Sequence, residues 1–270
     1  LAMRKLTLGL LAVFTIATIS FAAPKGCYEI YGIEVAPKIN TAFFVLIDET
    51  THFDKKLQEQ VISNALAFTK SSNHIFIGKF SALIGGGYNE PVFEFTIDRR
   101  LSDDERYTIS KATLAKVDKC LKDQIGFVKK SVQSAISSTF AKKSIGKSDI
   151  LYALDDFSKS VIEPINADKK IVLLASDMLE NSTITSFYAN NHIRQINHKK
   201  ELSIVEENRI FGDFGGASIY VVGAGLIPNS KSYVDPKKLN NLKIFWNDYF
   251  NKSNATLEYF ATPALKKSIQ

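Results

Sequence analysis

Residues 41–48 read Thr-Ala-Phe-Phe-Val-Leu-Ile-Asp, six apolar side chains in succession and then a carboxylate. A run that is apolar at every position, rather than at alternate ones, leaves no face for water. It fits a strand covered on both sides, as in the middle of a parallel sheet. Residues 171–177, Ile-Val-Leu-Leu-Ala-Ser-Asp, repeat the pattern and also stop at an acid, and residues 217–223 give a third buried run. Between the first two lie an amphipathic helix over residues 53–70, marked by Leu57, Val61, Leu66 and Phe68, and a strand over 74–82. A Gly85-Gly86-Gly87 turn and a strand over 92–97 follow, and so short a link makes that pair antiparallel. Ser102-Asp103-Asp104-Glu105 caps a helical region that extends to about residue 143. Its stripe of Leu114, Val117, Leu121, Ile125, Val128, Val132 and Ile136 fits a long helix packed on the chain's own surface. Further helices are expected over 150–162, 194–211 and 236–251, and a last strand over 255–260. Strand and helix alternation of this kind predicts an α/β fold: a doubly wound, mostly parallel central sheet with helices on both faces and a long helical insertion.

The chain has 270 residues, 45% hydrophobic and 23% charged, which excludes collagen-like, low-complexity and wholly disordered classes. Residues 1–23 look like a secretory leader: Arg4-Lys5, an uncharged apolar stretch to Phe21, then Ala22-Ala23 before Pro24. The expected organisation is therefore a leader over 1–23, a lead segment over 24–40 and a domain over 41–265 with the insertion at about 101–145. Loss of Arg4 and Lys5 with the leader lowers the formal charge from +6 to +4. No other apolar stretch is long enough to cross a membrane, so no membrane span is expected after cleavage. Export, to a periplasm or outside the cell, places Cys27 and Cys120 in an oxidising compartment where this single pair can bridge. Neither a CxxC nor histidines at ligand spacing point to a metal knuckle. A nucleic-acid partner is not expected, because the basic residues form no cluster with aromatics.

Chemistry is expected where the two acid-terminated strands end, because ligands of doubly wound sheets bind at the carboxyl ends of strands where the strand order reverses. A carboxylate at a buried strand end requires a donor or a cation. If the two strands are neighbours, Asp48 and Asp177 face one crevice, with hydroxyls from Thr50 and Ser148 in reach. Glu49 and Glu180, close in sequence, either add oxygens or stand exposed.

This pattern resembles the von Willebrand factor A-like domains. Asp48-Glu49-Thr50-Thr51-His52 is similar to the first element of their metal-ion-dependent adhesion site. Gly146-Lys147-Ser148-Asp149 before a helix is similar to its hydroxyl-bearing turn, and Leu173 to Asp177 to the strand that carries its second acid. The resemblance implies a protein-binding module with a divalent cation, Mg²⁺ or Mn²⁺, held by Asp48, Thr50, His52, Ser148 and Asp177. His52 stands where the family has a second hydroxyl, with Thr51 the substitute if the turn slips by one. An imidazole there would weaken the site or retune it towards Mn²⁺ or Zn²⁺, since Mg²⁺ prefers oxygen.

Two other readings compete. Residues 43–48 alone resemble the nucleophile strand of haloacid-dehalogenase-like phosphatases, with Asp48 as nucleophile. The general acid expected two residues on is Thr50 here, and no other catalytic constellation points to an enzyme. Alternatively, the fold is scaffolding for a structural subunit that contacts its partner through the helical insertion. His192 and His198, six apart, read as surface residues on different faces of a helix.

Overall fold

The structure, a computed structural model, describes residues 25–84, 87–141, 148–189, 192–227 and 235–270. The leader over 1–23 lies outside the described residues, as do Gly85, Gly86, Gly146 and Lys147. The strands are β1 (Thr41–Asp48), β2 (Asn73–Ile84), β3 (Gly87–Thr96), β4 (Lys169–Ala175), β5 (Tyr188–Ala189), β6 (His192–Ile193), β7 (Ala217–Val222) and β8 (Ala255–Phe260). The helices are α1 (Cys27–Ile30), α2 (Lys55–Ala67), α3 (Asp103–Tyr107), α4 (Lys111–Ala141), α5 (Ile150–Phe157), α6 (His198–Glu207) and α7 (Pro236–Lys252), with a π-helical turn over Ser158–Ile162 after α5.

Six strands form one sheet in the order β3-β2-β1-β4-β7-β8, while β5 and β6 pair separately. Every neighbouring pair of the large sheet is parallel except β2 with β3. From β1 the chain builds outward through β2 and β3, then crosses back to place β4 against the other side of β1. The reversal point is therefore the β1–β4 seam, where Phe43 pairs with Ile171 and Ile47 with Ala175.

The apolar run of β1 divides its side chains between two cores. Ala42, Phe44 and Leu46 pack with α5, α6 and α7, among them Leu154, Val205, Phe245 and Trp246. Phe43, Val45 and Ile47 pack with Leu57 and Val61 of α2 and Val128, Val132 and Ile136 of α4. The result is three layers, helix, sheet and helix, as expected of a doubly wound fold. The stripe on α4 is covered along its length by this chain. Its C-terminal half lies on the sheet, and Val117 and Leu121 of its N-terminal half join Cys27, Tyr28 and Leu101 in a third cluster. A disulfide joins Cys27 to Cys120 at the same place.

Several boundaries differ from the sequence reading. The helical region after Ser102 is two helices, because Ser102 caps α3 in a capping box and Ser110 starts α4 anew by accepting from the Thr113 amide at 3.2 Å. The polar segment over 194–211 is helical only from His198 to Glu207, since Asn197 caps it and Arg209 adopts φ +55° just past its end. His192 accordingly sits on β6, not on a helix. The third strand starts earlier, at Gly87 instead of residue 92. Strand β4 ends at Ala175, so Ser176 and Asp177 lie in the loop beyond it.

Candidate functional site

Asp48 and Asp177 stand side by side at the reversal point, 1% and 4% exposed. Asp48 is the last residue of β1, and both of its oxygens are in use. Oδ1 accepts from the Thr50 amide at 2.9 Å and the Thr50 hydroxyl at 2.6 Å. Oδ2 accepts from the hydroxyls of Ser148 at 3.2 Å and Ser176 at 2.8 Å. Across the seam, Asp177 Oδ1 accepts from the Leu179 amide at 2.8 Å, and Oδ2 from the Tyr188 hydroxyl at 2.9 Å. The Asp177 amide donates to Thr51 Oγ1 at 3.1 Å.

Electrostatically the pair is unbalanced. Burial pushes the Asp48 carboxyl up, against the opposing hydrogen bonds from Thr50, Ser176 and Ser148. Asp177 is pushed up to about 8, first by burial and then by the negative charge of Asp48. Burial and the neighbouring Asp177 likewise raise the Tyr188 phenol. Among the described residues no ion pair reaches either acid. Two adjacent buried carboxylates without a countercharge must take up a proton or a cation.

The structure brings Asp48, Thr50, Ser148 and Asp177 together and leaves out His52, which is exposed. Thr51, 7% exposed, turns inward in its place, because its hydroxyl is held by the Asp177 amide. The crevice is then lined by carboxylate and hydroxyl oxygens, and His52 brings no imidazole to it. Glu49 is taken up by Lys79, whose Nζ lies 3.1 Å from Oε1 and 2.7 Å from Glu90. Glu180 neither adds an oxygen to the crevice nor stands exposed: fully buried, it accepts from the Leu151 amide at 2.9 Å, satisfying the N-terminus of α5. Burial raises its carboxyl to about 8. The next residue, Asn181, donates its amide to the Ser148 carbonyl at 3.0 Å. The loop after β4 thus places both Asp177 and the Ser148 end of α5.

Sequence reasoning missed Ser176 and Tyr188. Ser176 had a signal, since it immediately precedes the strand-end acid. Tyr188 had none, because its approach to Asp177 depends on how the β5–β6 ribbon folds back. Thr50, where a phosphatase would need a second acid, spends its hydroxyl on Asp48. Among the described residues no cluster of three or more His, Cys, Asp and Glu is placed to hold a metal; the donors here are two carboxylates and hydroxyls. Among those residues, too, no helix is long and apolar enough to cross a membrane.

No family model matches the chain, and no curated protein matches it. Solved structures do. The open form of the pilus adhesin SpaC from Lactobacillus rhamnosus GG is 12% identical with a TM-score of 0.41, over 82% of this chain and 28% of that one. The vWF domain of the type V pili tip protein Mfa5 from Porphyromonas gingivalis is 12% identical at 0.33, over 66% and 54%. Manganese-loaded TRAP protein from Plasmodium vivax is 16% identical at 0.34, over 76% and 73%. The chain thus spans less than two thirds of both pilus structures. At such scores these likenesses identify no ligand and no partner, and what the crevice can do follows from its own geometry.

Proposed function

We propose that this chain is an exported protein-binding module that engages its partner at the crevice between the carboxyl ends of β1 and β4, through a divalent cation. The observation that carries the proposal is the pair of buried carboxylates, Asp48 and Asp177, ringed by hydroxyls and amides with no cationic side chain among the described ion pairs. Hard cations such as Mg²⁺ and Mn²⁺ take oxygen ligands, and the residues present fit them. Asp48, Thr50, Ser148 and Asp177 would hold the ion, with Thr51 as the second hydroxyl of the turn. When bound, the ion supplies a positive centre and an open coordination position for an oxygen of the partner. The chain's own residues do the rest: Ser176 and Thr50 orient Asp48, while Leu179 and Tyr188 orient Asp177. Support for export comes from the leader-like residues 1–23 and from the Cys27–Cys120 disulfide, which persists in oxidising compartments.

The test is capture of exported proteins from the source organism by immobilised protein, with Mn²⁺ or with EDTA, beside Asp48→Ala and Asp177→Ala variants that keep a cooperative melt. Capture is expected only for the unaltered protein with Mn²⁺. The same proteins retained by Asp48→Ala, or in EDTA, would contradict the proposal.

A further inference from the structure

Asp177 owes its position to an unusual backbone. The residue after it, Met178, adopts φ +59°, a left-handed conformation that a side chain with a Cβ disfavours, and is completely buried. Four hydrogen bonds surround this turn. The Met178 amide donates to Ser176 Oγ at 2.9 Å, and that same hydroxyl donates to Asp48. The Leu179 amide donates to Asp177 Oδ1, and the Gly225 amide to the Asp177 carbonyl at 2.8 Å. The Met178 carbonyl, pointing away from the crevice, accepts from Trp246 Nε1 at 2.8 Å. Trp246 is the only tryptophan in the chain. It is fully buried on α7, and its ring is fixed edge-on by Phe245 at 5.0 Å and Tyr249 at 5.4 Å. A buried carbonyl left without this donor would turn to find another, and the peptide that aims Asp177 would turn with it.

We infer, resting on the cation-binding reading above, that Trp246 is a positioning residue for the crevice: its indole N–H holds the left-handed Met178 peptide and thereby aims the Asp177 carboxylate at Asp48. The residue never touches the ion or the partner. It acts from the opposite side of the loop, so the aromatic core around α7 sets the geometry of one acid of the pair. Partners of this kind, behind the ligating residue, typically change metal affinity by about 10–100-fold.

The test is Trp246→Phe, which keeps an aromatic ring and removes the donor. Far-UV circular dichroism and a cooperative melt establish the fold. Mn²⁺ affinity is expected to fall at least about tenfold. The Leu179 and Gly225 amides are expected to exchange faster, while the amides of β1 keep their protection. Unchanged affinity together with unchanged Leu179 exchange overturns the inference. If the unaltered protein takes up no Mn²⁺, the cation reading fails on its own. The Leu179 and Gly225 amides then judge Trp246: faster exchange in the variant supports its role, and unchanged exchange refutes it. Should Trp246→Phe not fold, the indole N–H resonance of the unaltered protein decides. Slow exchange and a shift on adding Mg²⁺ support the inference, and rapid exchange, or no shift in a protein that binds Mg²⁺, overturns it.

Discussion

Asp177 shows how one residue can be expensive for the fold and useful to the site. Its carboxyl is pushed up to about 8 in the folded chain, against an ordinary value of 3.8. The folded form therefore holds a proton that the unfolded form releases, and the associated stability, complete below about pH 4, is lost as pH rises towards 8. Asp177→Asn removes that loss. Without added metal, the variant is expected to melt a few degrees higher than the unaltered protein at pH 8 and no higher at pH 4. A lower melting point at pH 8 would show that the carboxylate is already satisfied. His74 has the opposite sign. Buried on β2 against Thr96 at 2.9 Å and the Phe44 ring, it is pushed down to about 4 by burial, which Glu94, half exposed at 3.6 Å, does not offset. The unfolded chain takes up this proton first, so stability falls as pH drops from 6.5 towards 4, by roughly 3 kcal/mol. His74→Gln is expected to flatten that acid limb in pH-dependent melts, whereas an unchanged limb would assign it to other groups. Of the crevice, the two acids, Thr50 and Ser148 were legible in sequence because strand ends and helix starts are local events. The choice of Thr51 over His52 was not, since it depends on which hydroxyl the Asp177 amide reaches across the seam.

At the scale of elements, the buried strands were the most legible part, because residues 42–47 and 171–175 are apolar at every position and short, as a strand covered on both faces of a sheet requires. Phe44 is fully buried there, with Phe157 edge-on at 6.0 Å. Phe44→Ala is expected to cost about 3–5 kcal/mol in chemical denaturation, against no more than about 0.5 for Ala at Tyr107, which is 93% exposed. The division of the region after Ser102 into α3 and α4 was less legible, because the apolar stripe starts only at Leu114, inside α4, and α3 buries nothing that would mark it as a separate helix. The left-handed glycine at the end of β7 was hidden altogether. Gly223 adopts φ +97°, and a Cβ there would come within 2.6 Å of Phe53 and 3.1 Å of the Ser176 carbonyl. Gly223→Ala is therefore expected to lower stability by about 1–3 kcal/mol and to disturb Ser176, with an unchanged melt counting against so tight a fit.

For the molecule as a whole, two cores on either side of one sheet explain how residues 41–48 set the layering, and a third, smaller cluster ties the lead segment to the far end of α4. The Cys27–Cys120 disulfide closes that third cluster across a sequence separation of 93. Replacing both cysteines with serine is expected to cost about 2–4 kcal/mol, with exchange rising first in α1 and the N-terminal half of α4. The sheet order was only partly legible, since alternation implies parallel pairing but does not say which strands are neighbours. Once β4 lies against β1, both acids must share one crevice, and the proposed function requires that crevice to hold a divalent cation. Titration with Mn²⁺, followed by the electron paramagnetic resonance of the free ion, decides whether it does. The unaltered protein is expected to remove one Mn²⁺ per chain from solution, and folded Asp48→Ala and Asp177→Ala variants to remove none. A free-ion signal undiminished by the unaltered protein, or diminished equally by the variants, would contradict it.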